Sequence, residues 1–83
     1  MAIKKCILGK KTEGEKGAKL IVEEAKKYKG EIVITKEKKM ANAKSILGIL
    51  SLGLKEGDNV IVDVYEDIEN DSKVLDSFLD SIL

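Results

Sequence analysis

Lys44-Ser45-Ile46-Leu47-Gly48-Ile49-Leu50-Ser51-Leu52-Gly53-Leu54 reads as one compact apolar element with its own start and stop. A serine hydroxyl at position 45 can accept a hydrogen bond from the first free N–H groups of a helix, and Gly53 can adopt the left-handed conformation that closes one. The spacing predicts a short helix over Ser45 to Leu52. It carries more apolar residues than one buried face of so short a helix can use, so Ile46, Leu47 and Leu50 are expected to form a surface patch. Downstream, Lys55-Glu56-Gly57-Asp58 reads as a turn, and Val60 to Tyr65 as a strand with Val60, Val62 and Val64 on one side. A last helix, capped by Asn70 or Asp71, buries Leu75, Phe78, Leu79 and Ile82.

Upstream, Ile3 to Leu8 is strand-like and Gly9 to Gly17 is polar and glycine-containing. Ala18, Ile21, Val22, Ala25 and Tyr28 then recur at helical spacing, with Gly30 as the stop and Glu23 paired to Lys27 on the outer face. The β-branched run Glu31 to Lys36 predicts a strand with Ile32 and Ile34 facing inward. A turn at Glu37-Lys38-Lys39 leads to a short strand around Met40 to Ala43. The order is βαββαβα. Helices with one apolar stripe and strands with one apolar alternation imply a two-layer α+β sandwich: one four-stranded, mainly antiparallel sheet with three helices on one face. Periodicity alone leaves other α+β arrangements open, ferredoxin-like ones among them.

Eighty-three residues form a single domain, 1–83, with 43% apolar and 36% charged residues, a composition suited to a packed core rather than disorder. Fifteen basic side chains balance fifteen acidic ones, so no global field recruits nucleic acid or an anionic membrane. Two tyrosines and one phenylalanine make an aliphatic core and no base-stacking platform. Cys6 is the only cysteine; its place in the first strand predicts buried packing, and a reducing, cytoplasmic setting is expected. No apolar run approaches the roughly 20 residues that span a bilayer. No cofactor or metal is expected, since the sequence has no histidine and no metal-ligand cluster.

Lys27-Tyr28, the Ile32/Ile34 strand, Asn42, Lys44-Ser45 and Gly48…Ser51-Leu52-Gly53 together resemble, without gaps, the HPr phosphocarrier family of bacterial sugar phosphotransferase systems. The resemblance covers nearly the whole chain, is strongest from Lys27 to Gly53, and implies the HPr-like open-faced β-sandwich. Family members carry a Gly-x-His-Ala-Arg-Pro-Ala motif at the start of the first helix. Extending the ungapped match backwards puts Gly14 at the histidine, Lys16 at the arginine, Gly17 at the proline and Ala18 at the final alanine. Sliding the loop by one or two residues, so that Gly14 meets the motif's glycine, puts Lys16 at the histidine instead. Neither register supplies an imidazole, whose neutral nitrogen is the nucleophile of the family's relay. Glycine has no nucleophile, and lysine is protonated unless strongly desolvated. Gly14, Glu15, Lys16 and Gly17 are thus a degenerate active-site loop.

The resemblance also implies that Ser45 is phosphorylated by HPr kinase and that the modified protein meets a LacI-type catabolite control regulator. A phosphate at a helix start sits where the dipole and free amides favour anions. Lys16, Lys19, Lys44, Ile46, Leu47 and Leu50 are the candidate partner-binding residues. Capping alone is also a sufficient reason for Ser45, with the extra leucines packed internally, and both readings stand. The leading function is a histidine-less regulatory binding protein similar to the catabolite-repression HPr-like proteins. The alternatives are a transport-system component that has lost its relay role, or a module repurposed for an unrelated partner. Enzyme chemistry on Cys6 or Lys16 lacks any supporting constellation.

Overall fold

The computed structural model describes residues 1–67 and 69–83. Strand β1 spans Ala2–Ile7, and a single 3-10 turn at Lys10–Thr12 leads into α1, Gly14–Ala25. Strands β2 (Glu31–Lys36) and β3 (Lys39–Asn42) form a hairpin, followed by α2 (Ile46–Leu52), β4 (Asn59–Tyr65) and α3 (Asp71–Ile82). The sheet order is β1-β4-β2-β3 and every neighbouring pair is antiparallel. Alternation explains the layers. Val60, Val62 and Val64 on β4 share a face with Ile32, Ile34 and Ala41, and all six are buried with the apolar stripes of the three helices in one core. The opposite face carries Ile3, Ile7, Met40 and Tyr65, which are exposed. All eight residues expected to anchor the core on periodicity (Ile21, Ala25, Ile32, Ile34, Val60, Val62, Leu75 and Leu79) are buried.

Local readings needed four corrections. The first helix starts at Gly14, inside the stretch read as polar loop, and ends at Ala25 rather than near Gly30. Lys27 therefore lies in the turn beyond the helix, out of line with Glu23, and its ammonium pairs with Glu24 at 2.8 Å. Gly30 has no positive φ and ends nothing; an added Cβ there would lie 2.5 Å from the Cα of Glu66, so the position is glycine because two backbones touch. The β2–β3 turn needs only Glu37-Lys38, since Lys36 pairs with Lys39, and Glu37 takes φ +57 in place of the usual glycine.

The start of α3 is held by a different residue from the usual cap. Asn70 occupies the cap position but its side chain makes no cap hydrogen bond. Asp71, one residue on, is buried and accepts from the backbone N–H groups of Glu66 at 2.6 Å and Asp67 at 2.7 Å, with the α-ammonium of Met1 also on its carboxylate. The hydrogen bond from that ammonium, with the two backbone donors, holds the Asp71 carboxyl below the ordinary carboxylate range. A depressed folded value means stability that is complete above the unfolded value of about 3.9 and is lost as pH falls through the lower, folded one. Urea midpoints of the chain and of Asp71→Asn should therefore differ most above about pH 4 and converge in acid. A gap that persists unchanged to the lowest pH would remove Asp71 from the acid response.

Candidate functional site

Helix α2 is built as the sequence suggests. Ser45 is its N-cap with extended backbone, and its Oγ accepts the N–H of Gly48 at 3.1 Å, which satisfies a donor that the helix cannot. Gly53 closes the helix in the left-handed region at φ +59. Gly48 has a role that the sequence alone conceals: a Cβ there would stand 3.2 Å from the Ser45 Oγ and 3.4 Å from the Ala41 Cβ. Its missing side chain keeps space open around the hydroxyl of Ser45, a half-buried residue.

Only Ile49 and Leu52 of α2 are buried. Leu47 is 77% exposed, Leu50 42% and Ile46 37%, so the surplus apolar residues do form an outward patch directly after Ser45. Lys44 is half-buried, and its ammonium donates to the Tyr28 carbonyl at 2.6 Å, just beyond the end of α1. That bond fixes the N-terminal end of α2 against the chain leaving α1. At the other end, the Lys36 ammonium donates to the Gly53 carbonyl at 3.0 Å and pairs with Asp58 at 2.8 Å. The side-chain hydrogen bond from Lys36 in turn lowers the Asp58 carboxyl below its ordinary value.

Gly14 to Gly17, expected to be a degenerate active-site loop, form the first turn of α1 and lie at the opposite end of α2 from Ser45. Gly14 opens α1 at φ +69, and its N–H points to the Leu54 carbonyl at 3.5 Å, immediately after α2. The two helices thus run antiparallel, and the seven-residue α2, about 10 Å long, separates Ser45 from the loop. Lys16 and Lys19 are exposed on α1, with Lys19 3.8 Å from Glu15. Gly17 is buried: its Cβ would fall 1.9 Å from the Thr12 carbonyl carbon, so α1 sits directly on the backbone of the 3-10 turn. Thr12, itself buried, donates its hydroxyl to the Gly9 carbonyl at 3.2 Å. Neither contact was legible in the sequence, where both residues belonged to a polar loop. Cys6, expected to be buried, is half-buried against the core at the edge strand β1. Burial raises its thiol above the ordinary value, the opposite of what a nucleophile needs. Among the described residues no group of three or more metal-ligating side chains occurs, and no helix is long and apolar enough to cross a membrane.

An open antiparallel β1-β4-β2-β3 sheet under three helices, with a serine-capped α2 and a helix start on the adjoining loop, defines the HPr-like phosphocarrier class. Residues 15–80 match the family described as the PTS HPr component phosphorylation site, and the chain belongs to that family. The HPr-like protein Crh of Halalkalibacterium halodurans is 44% identical over 43 residues, which cover 52% of this chain and 51% of that protein; the match spans about half the relative's length. HPr-C-His from Thermoanaerobacter tengcongensis superposes with a TM-score of 0.87 at 31% identity, over 99% of this chain and 91% of that one. Crh of Bacillus subtilis, seen as a swapped, intertwined dimer, superposes with a TM-score of 0.73 at 25% identity, covering 93% and 83% of the two chains.

Proposed function

We propose that this chain is a cytoplasmic regulatory binding protein, not an enzyme and not a phosphohistidine relay, and that phosphorylation of Ser45 controls it. The observation that carries the reading is an exposed apolar patch, Ile46, Leu47 and Leu50, set against a capping serine in a chain with no histidine. HPr kinase transfers the γ-phosphoryl group of ATP to the Ser45 Oγ, which gives up its proton. The Gly48 N–H that now meets the hydroxyl at 3.1 Å then faces a phosphate oxygen, and the positive end of α2 favours the new charge. The labelled helix start and the patch beside it, flanked by Lys16, Lys19 and Lys44, form the surface for a LacI-type catabolite control regulator. Likeness to Crh proteins supports this assignment.

The test is direct. Incubation with HPr kinase and ATP should add one acid-stable phosphate, and Ser45→Ala should take none while remaining folded, at a cost of roughly 1 kcal/mol for the lost cap. Phosphoenolpyruvate and the first enzyme of the transport system should add no acid-labile phosphate, because there is no imidazole to carry it. Leu47→Ser should leave stability within about 0.5 kcal/mol and yet weaken regulator binding. Stoichiometric labelling by phosphoenolpyruvate would falsify the reading. A protein that HPr kinase leaves unlabelled, but whose partner binding still depends on Leu47, is a repurposed module for an unrelated partner.

A further inference from the structure

The uncovered face of the sheet holds a carboxylate in an unusual position. Asp63, in the centre of β4, is only 8% exposed, and its Oδ1 is buried without a hydrogen-bond partner. The strand register puts it in one row with Ile3 on β1, and with Val33 on β2 and Asn42 on β3. The adjacent row on the same face reads Lys5, Ile61, Thr35, Met40. Ile3 is 59% exposed and Met40 68%, with Ile7 and Tyr65 exposed on the same side. Two shallow depressions lie here, one lined by Lys5, Thr35, Glu37, Asn59, Val60 and Ile61, the other by Glu31, Val33, Met40, Ala41 and Asn42. An acid set low among apolar side chains, with no donor of its own, is costly unless something else supplies one.

We propose that this face docks onto the same face of a second copy of the chain, with Lys5 of each protomer answering Asp63 of the other. The register itself makes the surface self-complementary. Strands lie about 4.8 Å apart and alternate residues about 6.8 Å apart, so Lys5 and Asp63 are diagonal neighbours across the β1–β4 pair. A two-fold axis lying in the interface along the Ile3–Ile61 diagonal interchanges those two positions. It sets Ile3 against Ile3 and Ile61 against Ile61, and it creates two Lys5–Asp63 pairs by symmetry. Strands of the two sheets then cross steeply, as in orthogonal sheet packing, at a separation of about 10 Å that a lysine and an aspartate together can bridge. Within one chain, Lys5 and Asp63 form no ion pair among the described residues, so neither is answered by its own protomer. An isologous pairing of this kind closes on itself and leaves α2 and the Ser45 patch on the outside.

Sedimentation equilibrium across a concentration series, up to about 1 mM because the face is small, reads the outcome. The chain should pass from 9.1 kDa towards twice that mass. Lys5→Glu sets two carboxylates together and Asp63→Lys sets two ammoniums together, so each variant alone should associate at least about tenfold more weakly. Mixed in equal amounts, the two variants should recover association. In the mixed pair the introduced glutamate of one protomer meets the introduced lysine of the other, while the unchanged Asp63 and Lys5 meet as before. Ile3→Asp, at an exposed position, should abolish pairing without disturbing the fold, and it serves if Asp63→Lys fails to fold. A wild-type chain that stays at the monomer mass overturns the proposal. So does association indifferent to all three substitutions, as exchange of β1 between copies would give, since exchange preserves every intrachain contact.

Discussion

Gly17→Ala is expected to destabilise the chain by about 3 kcal/mol, against a propensity gain of about 1 kcal/mol that the same change yields in an ordinary helix interior. The sign reverses because the new Cβ would lie 1.9 Å from the carbonyl carbon, 2.2 Å from the oxygen and 2.5 Å from the Cα of Thr12. These are backbone atoms, so no rotamer change relieves the clash. Either α1 lifts from the 3-10 turn or Thr12 leaves its buried site and its hydrogen bond to Gly9. Urea unfolding followed by circular dichroism checks this, with Lys16→Ala in the same turn as a neutral comparison. A Gly17→Ala midpoint at or above that of the parent would mean that the turn does not rest on α1.

Phe78→Ala should be more severe, at about 3–5 kcal/mol. Phe78 is the chain's one phenylalanine and its largest fully buried side chain, at the centre of the stripe by which α3 covers the sheet. Removing it leaves a cavity between Val74, Leu75 and Ile82 on α3 and the strands beneath, and the rigid sheet cannot collapse to fill it. A domain of this size has a total stability on the order of 5–10 kcal/mol, so the variant should be partly unfolded near body temperature. Phe78→Leu, which keeps most of the volume, should cost less than half as much. Equal losses for the two variants would show that ring shape rather than volume governs the site.

The elements that were legible in the sequence are those whose signal is local. Ser45, Gly53 and the apolar spacing between them specify α2 without reference to the rest of the chain. The alternation in Val60, Val62 and Val64, with Ile32 and Ile34, specifies which face of the sheet is covered. The exposed Ile46, Leu47 and Leu50 followed from a count: a short helix has room to bury only part of such a run. What escaped reading depends on partners distant in the chain. Gly30 is a glycine because of Glu66, thirty-six residues away, and nothing near it distinguishes that from a helix stop. Glu23 and Glu24 are both within reach of Lys27 on an unbroken helix, and the choice turns on where α1 stops. Asp63 falls on the outward beat of its strand, which ordinarily means solvent, yet between Ile3 and Val33 on the adjoining strands it is buried.

Seven residues are too few to stand as a helix in water, where nucleation alone is unfavourable. Yet α2 is pinned from both sides: at its start by the Ser45 cap and the Lys44 ammonium on the Tyr28 carbonyl, at its finish by the Lys36 ammonium on the Gly53 carbonyl. A protein that grips Ile46, Leu47 and Leu50 accordingly meets side chains on a backbone already immobilised. Only rotamer freedom is lost on contact, and the ordering penalty that a flexible recognition peptide incurs at the moment of binding is absent. Three modest apolar contacts can therefore yield a usable affinity, and loosening either pin should weaken a partner's grip without altering a single residue that the partner touches.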